Sequence, residues 1–122
     1  SSSNKVLVMV DLNMISNASG SGTFVKLLRD STVVTKTTTS GGNATAEAFN
    51  SGGGKVGTGP ERQKGSATLC FLDSPSSTSA LTYKIQFATS NSSNAAYVNG
   101  WALNSDQAAV SSITLMEIAA WL

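Results

Sequence analysis

Where apolar residues recur regularly in this sequence, they recur at every second position. Residues 81–88 show it most cleanly: Leu81, Tyr83, Ile85 and Phe87 alternate with Thr82, Lys84, Gln86 and Ala88. A period of two puts the sets on opposite faces of an extended chain, so the segment reads as a half-buried strand. Residues 5–13 repeat the pattern. Val6, Val8, Val10 and Leu12 form one face, while Leu7 and Met9 give the other some apolar cover. No stretch of ten residues carries a helical period with caps. The chain is therefore expected to be all-β.

Turn chemistry separates the remaining strands. A strand over 23–29 ends at Asp30-Ser31, and the β-branched stretch 32–39 reads as its successor. Residues 40–59 hold seven of the eleven glycines and read as a long loop with room for a short strand at 46–49. A strand over 66–72 runs into the turn Asp73-Ser74-Pro75-Ser76. A short strand at 96–98 meets Asn99-Gly100, a hairpin signal, and the last strand spans 111–119. About seven or eight strands between turn signals point to a β-sandwich or jelly roll, one domain over residues 1–122.

Composition adds a constraint on stability. Ser, Thr, Asn and Gly make up 53 of the 122 residues, Leu, Ile, Val and Phe only 27, and aromatic residues 7 %. A chain of this length buries roughly two thirds of its unfolded surface. With so few large side chains the core is thin, which favours an oligomer as the stable unit.

Charge and reactive groups narrow the function. Eight Lys and Arg against seven Asp and Glu leave a net charge of +1. That offers no basic footprint for nucleic acid and no attraction to an acidic membrane. The longest purely apolar run, residues 6–10, is too short to insert into a bilayer. There is no histidine, hence no Ser-His or Cys-His activation and no imidazole ligand. The seven carboxylates, Asp11, Asp30, Glu47, Glu61, Asp73, Asp106 and Glu117, show neither calcium-loop nor dyad spacing. The chain reads as a non-enzyme without cofactor or metal. Cys70, the single cysteine, lies between Leu69 and Phe71 and is expected to be a small buried side chain. Gly52-Gly53-Gly54-Lys55 lacks the spacing of a phosphate loop, and Glu61-Arg62-Gln63-Lys64-Gly65 reads as a solvated loop. The first residues, Ser1-Ser2-Ser3, fit either removal of an initiator Met or excision from a longer polypeptide.

Three features carry binding hypotheses. Glu117 interrupts an apolar strand. It is an outward-facing charge, an interface partner of Arg29, Arg62 or Lys84, or a catalytic carboxylate. Trp101 and Trp121 read as core or subunit-interface anchors, with sugar stacking as the alternative, in which Tyr97 joins them. The alternating strands place Tyr83, Ile85, Phe87, Leu115, Glu117 and Trp121 as candidate interface residues.

The ordered series Phe24 to Thr32 (FVKLLRDST), Phe71 to Pro75 (FLDSP), Ser79 to Phe87 (SALTYKIQF) and Ser112 to Ile118 (SITLMEI) resembles a virion surface module. Similar modules occur in tailed phages, especially of marine and cyanobacterial hosts, and in some large DNA viruses. The resemblance covers most of the chain and implies a C1q/TNF-like jelly roll, typically a homotrimer, with no catalytic residues. It implies a virion structural protein at the virion surface: a capsid decoration or cement protein, or a fibre head for host attachment. Its partners would be two further copies, other virion proteins of capsid or fibre, and a host-surface glycan. The lack of a stalk and the apolar end Ala119-Ala120-Trp121-Leu122 lean toward a standalone decoration protein. The alternative from another class is a cellular carbohydrate-binding β-sandwich module.

Overall fold

The computed structural model describes residues 3–17, 23–35, 64–89, 95–101 and 104–120. Among these residues there is no helix. The strands are β1 (Lys5–Asn17), β2 (Thr23–Arg29), β3 (Thr32–Val33), β4 (Lys64–Asp73), β5 (Tyr83–Thr89), β6 (Ala96–Tyr97), β7 (Gly100–Trp101), β8 (Asn104–Ala108) and β9 (Ser112–Ile118). All pairings are antiparallel. In the larger sheet β1 is central, flanked by β4 on one side and by β9 and then β6 on the other. The second sheet runs β3-β2-β5, and β7 and β8 form a separate two-stranded ribbon.

The two sheets pack face to face, an arrangement consistent with a β-sandwich. The period of two determines which residues meet. Val6, Val8, Val10 and Leu12 of β1 stand opposite Asp73, Phe71, Leu69 and Ala67 of β4. On the other side Val6, Val8 and Val10 stand opposite Glu117, Leu115 and Ile113 of β9. In the second sheet Val25, Leu27 and Arg29 face inward beside Phe87, Ile85 and Tyr83. The buried centre is small: Val8, Val10, Leu12, Val25, Leu27 and Ala67. Thr23 is also fully buried, and its hydroxyl finds no hydrogen-bond partner.

Several expectations need correction. β1 continues to Asn17, four residues beyond the expected end, through a register shift between Leu12 and Ile15. A bulge of this kind carries a strand past the point where simple alternation stops. Of the expected strand 32–39 only Thr32–Val33 pairs with β2, and residues 36–39 lie outside the described residues. The glycine-rich stretch 40–59 lies outside them too. Asn99 does take a left-handed conformation, φ 64°. Yet the flanking strands do not form a hairpin: β6 pairs with β1, and β7 pairs with β8. The strand β8 is Asn-Ser-Asp-Gln-Ala, which has no apolar alternation by which to recognise it. Cys70 is exposed, because Leu69 and Phe71 take the inward positions and alternation turns the residue between them outward.

Candidate functional site

The most polar part of the interior lies at one end of the two sheets. Asp73 closes β4 on the inward face and is 7 % exposed. Its Oδ2 accepts hydrogen bonds from Arg29 Nη1 at 2.6 Å and from Tyr83 Oη at 2.7 Å. Its Oδ1 accepts from the Ser74 backbone N–H at 2.9 Å. Asp73 belongs to the larger sheet and its two side-chain partners to the smaller one, so this knot ties the sheets together. A buried carboxylate is tolerated only when paired and hydrogen-bonded in this way. Burial opposes the charge of Arg29, but the hydrogen bond and charge of Asp73 outweigh it and raise the guanidinium pKa above its usual value. Burial, reinforced by Asp73, pushes the Tyr83 phenol up to about 12. Next to the knot, Asp30 N–H donates to the Thr82 carbonyl at 2.7 Å, and Asp30 Oδ1 accepts from Thr82 N–H at 2.9 Å. Asp30 holds a left-handed backbone, φ 54°, which an Asp tolerates better than most residues.

Beside the knot is a cleft of about 390 Å³. Val6, Leu81, Tyr83 and Leu115 give it an apolar lining, and Asn4, Pro75, the run Ser77–Ser79 and Glu117 complete it. Glu117 Oε1 accepts a hydrogen bond from Asn4 Nδ2 at 2.5 Å. Asn4 Oδ1 also accepts from the Ala120 backbone N–H at 3.2 Å, so the same side chain ties the chain's two ends together here. Glu117 is therefore an exposed carboxylate at the cleft. Arg29, one of its three expected partners, is bound to Asp73 instead. Lys84 is exposed on the face of β5 opposite Tyr83, and Arg62 lies outside the described residues. The sequence pointed to Glu117 but not to the Asp73 knot. In sequence Asp73 opens a turn, and nothing in its neighbourhood announces a partner 44 positions away.

Away from the cleft, apolar residues on the inward faces of two edge strands stay partly exposed. β5 and β9 are edges of their respective sheets, and both lend residues to the cleft. Along these edges Phe87 is 45 % exposed, Leu115 47 % and Ile113 40 %, although all three stand on inward faces by register. Of the six candidate interface residues, Tyr83, Leu115 and Glu117 meet at the cleft, and Ile85 and Phe87 follow Tyr83 along the same face of β5. The sixth, Trp121, lies outside the described residues. Of the three aromatic residues weighed for sugar stacking, Tyr97 is exposed. Trp121 and the side chain of Trp101 are not described.

A second apolar surface lies on the outer face of the larger sheet. The register aligns Leu72, Leu7 and Met116 in one row across three strands, with Cys70 and Met9 in the next. Leu72 and Met116 are about half exposed. No group of three or more Asp, Glu or Cys able to hold a metal ion occurs among the described residues, and these residues, which form no helix, offer no helical membrane span. Comparison with protein-family models, curated proteins and solved structures returned no match.

Proposed function

We propose that this chain is an outward-facing module of a virus particle, a jelly roll of the C1q/TNF type that works by binding as a homotrimer. It serves as capsid decoration or cement, or as a fibre head for host attachment. The observation that carries the reading is the open side of the sandwich: Phe87, Ile113 and Leu115 occupy core-facing positions and stay 40–47 % exposed. Apolar residues aligned like a core but left without cover mark a surface that another chain completes. Copies related by a rotation axis present the same patch repeatedly, and their burial supplements a thin core. The outer row of Leu72, Leu7 and Met116 is a separate surface, suited to a different neighbour such as a capsid or fibre protein. A protein that holds its own copies together and seats on a particle needs two such surfaces.

The absence of histidine from the sequence supports binding rather than catalysis, and Asp73 is engaged by Arg29 and Tyr83. Light scattering behind a sizing column tests the assembly. The reading expects a species near three times 12.5 kDa, and a monodisperse monomer counts against it. Labelling with a specific antibody on intact particles then distinguishes capsid from fibre. The alternative, a monomeric cellular carbohydrate-binding module, expects the opposite mass.

A further inference from the structure

The cleft has a chemistry of its own. Its volume of about 390 Å³ lies at the small end of the range for small-molecule sites. Its apolar side is supplied by Val6, Leu81, Tyr83 and Leu115. Its polar side is supplied by the hydroxyls of Ser77, Thr78 and Ser79 and by the Glu117 carboxylate. Among the described residues no Lys or Arg lines it. Arg29, which bonds the same carboxylate as Tyr83, is paired with Asp73, and Lys5 Nζ donates to Ser74 Oγ at 2.7 Å.

These features select a ligand class. An anion, whether phosphate, sulfate or a sialic acid carboxylate, meets Glu117 in a cleft whose described lining holds no Lys or Arg to offset that charge. A purely apolar ligand desolvates the Glu117 carboxylate, which among the described residues has only Asn4 to satisfy it, together with the hydroxyls of the Ser77–Ser79 run, which is costly. A neutral saccharide unit has an apolar C–H face for Leu115 and Tyr83. Its hydroxyls can both donate and accept, which suits Ser, Thr and a carboxylate. Asn4 fixes Oε1 of Glu117 by its hydrogen bond, so the carboxylate is oriented before any ligand arrives. Ser77–Ser79 lie in the connection between β4 and β5, at the end of the molecule where Asp73 closes β4. The cleft is therefore a feature of a loop end, where a binding module meets its target.

We infer that this cleft binds one neutral saccharide unit, with Glu117 and the Ser77–Ser79 hydroxyls as hydrogen-bond partners and Leu115 and Tyr83 against the sugar's C–H face. The inference rests on the reading of the chain as a binding module and names the class of target.

Saturation-transfer NMR with the methyl glycosides of glucose, galactose, mannose and N-acetylglucosamine tests it on the full chain. At least one glycoside is expected to receive saturation. The signal should vanish in Thr78→Trp, an exposed position whose new ring fills the cleft. It should weaken about tenfold in affinity in Glu117→Gln, which keeps the shape and removes the charge. Thermal melting of both variants checks that they fold, and Glu117→Gln alone decides if Thr78→Trp does not. No transfer to any of the four sugars overturns the inference. So does transfer that both folded variants retain, since the sugar then sits elsewhere. Transfer only to glucose 6-phosphate or to an alkylamine, run as controls, overturns it as well. The mass measurement keeps the two ideas apart: a trimer without sugar transfer loses only the cleft inference, and a monomer with it loses only the trimeric reading.

Discussion

The two long sides of this molecule carry the same sequence pattern and end in opposite states. Between β1, β2 and β4, alternating residues are sealed: Val8, Val25 and Leu27 are fully buried. Along β5 the alternation is just as regular and along β9 it is broken by Glu117, yet at the inward positions Phe87, Ile113 and Leu115 keep nearly half their surface exposed. The difference lies in what stands across from each strand. β1 is flanked on both sides, and β2 by β5 and, at its end, by β3; β4, β5 and β9 are all edges with no described strand beyond them, and of these three only β4 holds buried inward residues, Ala67 and Asp73. Periodicity therefore tells which residues face inward, but only topology tells whether anything waits there. An inward face at an edge is the place to look for a partner.

Truncation in the sealed side should have the largest effect. Leu27→Ala removes a fully buried side chain from the middle of the core cluster and is expected to cost about 3 kcal/mol of stability. Chemical denaturation checks it. A cost below about 1 kcal/mol would mean that the sealed side is no better packed than the open one, and the contrast would collapse.

The knot at Asp73 closes the boundary between the two sides. Arg29→Ala leaves a 7 %-exposed carboxylate with one fewer partner and is expected to cost about 2 kcal/mol, less than for a fully buried pair because Arg29 still reaches solvent. Replacing Arg29 and Asp73 together by Met and Leu should recover most of that loss, since no charge is then stranded. A double variant as unstable as Arg29→Ala would show that the knot holds the sheets by geometry rather than by charge pairing.

Tyr83 supplies the pH-dependent version of the same test. Its phenol is raised to about 12, against an ordinary value near 10, so the folded state prefers it protonated. The corresponding stability is fully present below pH 10. It is lost as pH rises from the unfolded value through about 12, because the unfolded chain releases the proton first. Melting temperature measured between pH 9 and 12 should fall more steeply in the native chain than in Tyr83→Phe. Parallel curves would show that the hydroxyl does not couple the sheets.

How much of this was legible beforehand follows from the same contrast. The two faces of β1 and β5 were readable, because two-residue alternation is a local property, although alternation does not say which face meets a neighbour. The chemistry of Glu117 was half readable: its place in an apolar strand singled it out, but its Asn4 partner is 113 positions away. The Asp73 knot was not readable, since Arg29, Asp73 and Tyr83 sit on three strands and meet only once the sheets pack. Cys70 was misread by its neighbours. Two flanking apolar residues look like cover, whereas in a strand they mark the opposite face. β8 has five residues without a single large apolar side chain, so no pattern could disclose it.

The smallest effect on the isolated chain is the most informative about the open side. Phe87→Ser and Leu115→Ser remove apolar atoms from positions that are already half in water, so each should change the stability of the folded monomer by less than about 1 kcal/mol. That is a fraction of the loss expected for Leu27→Ala, although all three residues occupy equivalent inward positions in the alternation. If neighbouring copies cover this side, the same substitutions act on assembly: the species near three times 12.5 kDa should give way to single chains at concentrations where the native protein stays intact. Light scattering and denaturation on one preparation separate the two readouts. A trimer that survives both substitutions would place the contact elsewhere and leave the outer row of Leu72, Leu7 and Met116 as the next surface to alter. A monomer that loses as much stability as Leu27→Ala would instead mean that Phe87 and Leu115 belong to the monomer's own core, and the distinction between a sealed and an open side would fail.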